Sequence, residues 1–306
     1  MVTTDSLANS TDEPVPSILT LQQHYAASVT LLALAVIGTV LSSVNFRMLL
    51  SNPDYCSKAG NFFLSLAVTD LCVCIFETPF SAFSHHAGFW IFGDTACQLY
   101  AFFGIFFGLV NIFMVTFISL DRYWATCSPV EVELKSKYYT RMTALGWMVA
   151  LFWAAAPVFG WSRYAMEPSM ASCSIDYMTN DFSYVTYITC LTLTCYVVPI
   201  VVMVYCYVKA SKNIKYTGKV TEWAHENNAT KISRLCVLQL VFCWSLYGFN
   251  CMWTVVADDV ETLPKMLTVL APILAKTTPI LNSGLYFLHN KKFRGAAVDM
   301  FKAKEE

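Results

Sequence analysis

Charge is what this sequence has least of. Of its 306 residues only 13% are Asp, Glu, Lys or Arg, against 56% hydrophobic and 15% aromatic. So little charge cannot cover a soluble surface, which excludes an ordinary water-soluble enzyme. The net charge of −1 says nothing further about partners, and no nucleic acid is expected among them. The first 46 residues contain no Lys or Arg. The opening 20 are polar and acidic, without a basic start or an apolar run, so no cleavable signal peptide is expected. There is no internal repeat, no long polar stretch for a soluble domain, and no pair of matching broken segments of the transporter kind.

What the chain does have is long apolar runs. Seven can be read near residues 25–46, 59–84, 97–120, 142–162, 182–208, 235–257 and 266–289. Each reaches about the 20 residues that a helix needs to cross a bilayer. In lipid such runs are helices, because a lone helix satisfies its own backbone. The expected fold is an all-α membrane protein, a seven-transmembrane helix bundle. It divides into a tail (1–23), the bundle (24–289), and a short amphipathic helix and tail (290–306). Lys and Arg crowd the first, third and fifth loops and the C-terminal tail, whereas the opposite face has only Arg163 and Lys265. The positive-inside rule then places the N-terminus outside and the C-terminus in the cytoplasm. Asn9-Ser10-Thr11 is a glycosylation sequon on the outer side; Asn228-Ala229-Thr230 matches too but lies on the inner side.

One residue does not belong in lipid. Lys276 is the only charge in the run from Met266 to Asn290. A lysine near the middle of a span costs roughly 2.5–3.5 kcal/mol on insertion scales, so something must compensate. Either an acid pairs with it inside the bundle, or its amine is used as a Schiff base with a carbonyl ligand. Most of the 12 cysteines fall within the spans and are expected to be packing residues. Cys97 and Cys173 both lie toward the oxidising side, where a disulfide can form, but a count does not fix connectivity.

Several positions together resemble the class A G-protein-coupled receptors. They are Asn45; Asp70 within Leu66-Ala67-Val68-Thr69-Asp70; Asp121-Arg122-Tyr123, with Arg122 25 residues after Cys97; Trp147; Pro199 and Tyr207; Trp244; and Asn282 with Tyr286. Lys276, six residues before Asn282, stands where opsins attach retinal, and Gly160-Trp161-Ser162-Arg163-Tyr164 is similar to the opsin outer loop. Leu263-Pro264-Lys265 and Ala271-Pro272-Ile273-Leu274-Ala275-Lys276 most resemble the group of peropsin, retinal G-protein-coupled receptor and retinochrome. Several of that group bind all-trans-retinal and photoisomerise it to the 11-cis form. The resemblance implies retinal held on Lys276 as a Schiff base, membrane lipid around the bundle, and a heterotrimeric G protein as a possible partner.

A protonated Schiff base is a buried cation and needs a carboxylate; without one it loses its proton and absorbs in the near ultraviolet. Three residues after Cys97, where vertebrate visual pigments carry Glu, this chain has Tyr100. Glu167, six residues before Cys173, is the favoured counterion, with Glu77, seven after Asp70, as rival or partner. The bland readings are a solvated loop residue for Glu167 and a protonated acid bonded to a neighbour for Glu77. Trp244 and Tyr247 are expected to floor and wall the retinal pocket. Gly104 and Gly108 make room for the polyene, unless they only pack helices. Tyr187, Cys195 and Tyr196 are candidates near the ring. Asp70 is expected to anchor a polar network with Asn45 and Asn282, which Asn111 can join, serving state switching.

The signalling parts are mixed. Asp121-Arg122-Tyr123, Tyr207, Glu226 (18 residues before Trp244), Asn282 and Tyr286 suit a receptor that couples to a G protein. Against that, the sixth span reads Cys243-Trp244-Ser245-Leu246 and the seventh Asn282-Ser283-Gly284-Leu285-Tyr286, each without the family's proline. Proline bends a helix, so its loss argues for weak, altered or absent coupling, although Gly248 and Ser245 could soften the sixth span. The tail holds no Ser or Thr for phosphorylation-dependent arrestin binding, and no Cys for palmitoylation. Three readings follow: a retinal photoisomerase, a light-activated G-protein-coupled receptor, and a chemosensory receptor without retinal in which Lys276 pairs with Glu77.

Overall fold

The computed structural model describes residues 17–51, 59–127, 136–217, 223–257, 262–289 and 295. Four of the seven crossings are built mainly from single helices: α1 (Leu21–Ser51), α4 (Gly93–Cys127), α5 (Ser136–Ala155, continued by a 3-10 turn, Ala156–Phe159) and α8 (Trp223–Val256). The second crossing is α2 (Gly60–Cys72), a π-helical turn (Val73–Glu77) and α3 (Thr78–Ala87). The fifth repeats that plan with α6 (Phe182–Thr192), a π-helical turn (Leu193–Val197) and α7 (Val198–Thr217). The seventh is two short helices, α9 (Lys265–Ala275) and α10 (Thr278–His289). By length and apolarity six crossings suffice for a membrane, the broken seventh being the exception among the described residues.

Prolines account for the interruptions. A proline has no N–H for the carbonyl four residues back, and its ring crowds that carbonyl. Pro79 and Pro199 each follow a π-helical turn, where the backbone bond runs five residues back, from Thr78 N–H to Val73 O and from Val198 N–H to Leu193 O. In the second crossing the Thr78 hydroxyl also donates to Val73 O at 2.9 Å. Pro279 leaves Ala275 O without its usual donor, and there the seventh crossing breaks. The break falls at Lys276, whose N–H donates to Pro272 O at 3.1 Å. The continuous seventh span expected from hydropathy is thus two helices meeting at the lysine.

α4 runs through the middle of the bundle and packs against α2, α5 and α7. Its buried side chains include Ile105, Leu109, Val115 and Ile118. Outside the spans, β1 (Tyr164–Met166) pairs antiparallel with β2 (Cys173–Ile175) in the register Tyr164↔Ile175 and Met166↔Cys173. This hairpin lies against α4 and is tied to its N-terminal end by the disulfide Cys97–Cys173. Asn9 and the expected helix at 290–306 lie outside the described residues, apart from Gly295.

Candidate functional site

Lys276 is buried, and its Nζ lies 3.1 Å from Glu77 Oε1. The two side chains are only 6% and 12% exposed, so neither charge can be left to water and each requires the other. The lysine comes from the break between α9 and α10; the glutamate comes from the last residue of the π-helical turn in the second crossing. Gly104 on α4 allows the meeting: a Cβ there would lie 3.3 Å from Glu77 Oε1. On the outer side the Tyr100 ring faces the ammonium, with Nζ 5.4 Å from its centroid, a cation–π distance. Tyr100 is held edge-on against Trp90 at 5.1 Å.

Glu167, the acid favoured from sequence, is placed differently. It is buried in the turn between β1 and β2, where its backbone N–H donates to Ser172 O at 2.9 Å and the Ser172 hydroxyl donates to its carboxylate. It lines the same small cavity as Lys276 but does not pair with it directly. Burial pushes the Glu167 carboxyl above the usual range, and the Ser172 bond and the Lys276 charge only partly offset this. Glu167 is therefore no solvated loop residue, and the direct partner of Lys276 is Glu77.

Two connected cavities leave the lysine. One is lined by Glu77, Tyr100, Gly104, Glu167, Trp244 and Lys276, among others. The next shares Ile105, Trp244 and Tyr247 with it and continues to Leu109, Ile188, Leu191, Cys195 and Tyr196. The second is almost wholly apolar in its lining residues, as a polyene and its ring require. Trp244 lies across Gly108, as floor against wall. Tyr196 is fixed by a 2.6 Å bond between its hydroxyl and Ser245 Oγ. Tyr187 is not among the residues lining these cavities: it is fully buried, packs edge-on against Trp153 and Trp161, and donates its hydroxyl to Trp153 O at 2.9 Å. The aliphatic lining residues could not be told from sequence, because a buried and a lipid-facing Ile look alike.

The cavities fit a long apolar aldehyde joined to Lys276. A track open at the lysine and apolar at its far end is what such a molecule needs. Buried Tyr247 Oη and Trp244 Nε1 have no hydrogen-bond partner among the described residues.

Farther in, Asp70 accepts from Asn282 Nδ2 at 3.1 and 3.2 Å and from Asn111 Nδ2 at 3.2 Å. Asn45 is buried on α1 but makes no hydrogen bond to Asp70 among the described residues; Ser42 instead meets Ser283 at 3.2 Å. At the inner end, Asp121 is held by Arg122 (Nε to Oδ2, 3.0 Å) and by the Tyr139 hydroxyl at 2.7 Å. Tyr207 Oη meets Ser119 Oγ at 3.1 Å. Tyr123 lies against Tyr205 at 5.8 Å. Tyr139 and Ser172 bond to candidate site residues, and no sequence spacing signalled either. The side chains of Glu226 and Tyr286 lie outside the described residues.

Comparison with known proteins agrees with this architecture. The profile of the seven-transmembrane receptor (rhodopsin family) matches residues 46–286. The chain therefore belongs to the rhodopsin family of seven-transmembrane receptors, among the opsins. It is 31% identical to the visual pigment-like receptor peropsin of Homo sapiens over 310 residues, covering 98% of this chain and 92% of that one. It is 29% identical to a blue-sensitive opsin of Carassius auratus over 278 residues, covering 87% of this chain and 76% of the other. The crystal structure of squid rhodopsin superposes with a TM-score of 0.85 at 23% identity, over 93% of this chain and 87% of that chain, a likeness of fold.

Proposed function

We propose that this chain is a retinal-binding photopigment whose main output is isomerised retinal, with all-trans-retinal converted to the 11-cis form. The observation that carries the reading is the Lys276–Glu77 pair, 3.1 Å apart at the mouth of an apolar, aromatic-walled track. Retinal bound through Lys276 supplies light absorption and a double bond that rotates. The protein's own part is electrostatic and steric. Glu77 holds the proton at Nζ and balances its charge, which Tyr100 supports from its ring face. Glu167 adds a second, more distant acid along the same cavity. Trp244, Tyr247 and the helix carrying Ile188 and Leu191 bound the space in which a bent or straight chain must fit. The β1–β2 hairpin covers the outer side and keeps water from the lysine. With the N-terminus outside, this hairpin is the extracellular lid.

Support for isomerisation over signalling comes from α8, which runs unbroken through Trp244, Ser245 and Leu246. Without a proline there is no built-in bend about which its inner end would swing. A second reading, a light-activated receptor for a heterotrimeric G protein, is favoured by one observation: Asp121 holds Arg122 while bonded to Tyr139, an arrangement a switch could open. The third reading, a receptor for another small molecule, would also use a Lys276–Glu77 pair, but it gives no reason for an apolar track leading from that lysine.

Retinal extraction before and after illumination tests these readings. The chain is incubated separately with all-trans- and 11-cis-retinal. All-trans turning to 11-cis on Lys276 supports the proposal. Conversion only in the opposite sense transfers the case to the signalling receptor. If neither isomer is retained, and Lys276→Ala behaves the same, the opsin chemistry itself fails.

A further inference from the structure

His24 and His85 form a buried pair that neither the pocket nor the signalling parts explain. Each is 3% exposed, and their Nδ1 atoms are 3.1 Å apart. The surrounding bonds fix the tautomers. The Ser17 hydroxyl donates to Ser169 O at 3.0 Å, so its oxygen can only accept from the His24 ring, whose Nε2 is 2.9 Å away. The other lone pair of Ser17 Oγ takes Leu19 N–H at 3.2 Å. His24 therefore carries its proton on Nε2 and presents a bare Nδ1. His85 must then donate from Nδ1, which leaves its Nε2 as the open acceptor. His85 lines the small cavity that also borders Glu167, Ser172 and Lys276, with room for about one water molecule.

We propose that His24 and His85, with Ser17 fixing the tautomer of His24, form a proton relay between the protein surface and Lys276, separate from the charge-balancing Glu77. This deepens the photopigment reading but rests on the protonated nitrogen of Lys276, an ammonium without retinal and a Schiff base with it. The transfer balances. A proton from the Lys276 end of the cavity adds to His85 Nε2. His85 passes its Nδ1 proton to His24 Nδ1, and His24 gives its Nε2 proton to solvent water beside the half-buried Ser17. One proton enters, one leaves, and ring rotation or the reverse passage restores the starting tautomers. The charged and titratable groups around the pair are Lys276 from the seventh crossing, Glu167 from the outer turn, Glu77 two turns earlier in the second crossing, and the outward Tyr25–His86 contact (5.4 Å). None of these bonds to either imidazole among the described residues, so the pair conducts without being locked into an ion pair.

The test uses retinal-free full-length protein with ¹⁵N-labelled lysine. The Lys276 ammonium resonance is assigned by its loss in Lys276→Ala, and its proton exchange with water is measured. Exchange is expected to slow about tenfold or more in His85→Phe and in His24→Phe, as for loss of a positioned proton carrier. It should return in His85→Ala on adding imidazole, which a purely structural role would not produce. Should His85→Phe fail to fold, His24→Gln, of similar size and able to bond Ser17 but unable to pass a proton on, gives the same reading. Wild-type exchange rates in the folded histidine variants would overturn the relay. Failure to bind retinal would overturn the photopigment reading and leave this measurement intact.

Discussion

Trp244 lies so closely over Gly108 that a Cβ at that glycine would stand 2.9 Å from Trp244 Cζ2 and 3.0 Å from Cζ3, with Cη2 nearer still. No side chain but hydrogen fits between α4 and this indole. Gly108→Ala is expected to displace Trp244, lower pigment yield and cost about 1–3 kcal/mol of stability, as overpacking does. Gly104→Ala meets only the flexible end of Glu77 at 3.3 Å and should cost less. Thermal unfolding of both variants, with pigment absorbance after adding retinal, checks the order; equal effects would contradict it.

Glu77→Gln should move the visible band of the retinal-loaded protein to the near ultraviolet, while Glu167→Gln should leave most of it visible. In the retinal-free protein Glu77→Gln strands the buried Lys276 charge and should destabilise by about 3–5 kcal/mol. The double change Glu77→Gln with Lys276→Met should recover most of that loss. A visible band that survives in Glu77→Gln but vanishes in Glu167→Gln would make the outer acid the counterion after all.

Glu167 gives a pH dependence of known sign. Burial raises its carboxyl in the folded chain above the unfolded value, so the folded state binds the extra proton. Its folding penalty is absent below the ordinary carboxylate range, near about 4.3, and grows as pH rises toward the raised value. Wild type should therefore lose stability relative to Glu167→Gln as pH increases through that window. Melting curves of the two proteins across the acid range show it; parallel curves would mean that the Glu167 carboxyl holds its proton equally in the folded and unfolded chain.

The Cys97–Cys173 bridge closes a separation of 76 residues and ties β2 to the outer end of α4. Cys173→Ala should cost about 2–5 kcal/mol and weaken the lid over Lys276. Faster attack of hydroxylamine on the retinal-loaded variant, with a lower melting temperature, is the expected pair of results. Stability lost with unchanged hydroxylamine sensitivity would show that the hairpin does not guard the site.

The sequence by itself determined the bundle, its Lys/Arg asymmetry and the lysine at its centre. A bilayer admits few architectures, so a long apolar run and a charge within it carry unusual weight. It also marked both acids, the pocket aromatics and the outer cysteine pair. Tertiary structure decided what distance decides. Glu77 and Lys276 are 199 positions apart in the chain yet 3.1 Å apart in space, because a π-helical turn before Pro79 and a helix break before Pro279 bring their backbones to one level. Glu167 turned inward onto Ser172, Tyr187 onto Trp153, and His24 onto His85, none of which periodicity could show. In lipid both faces of a helix are apolar, so sequence does not say which side is inside; only packing against neighbouring helices gives each side chain its partner.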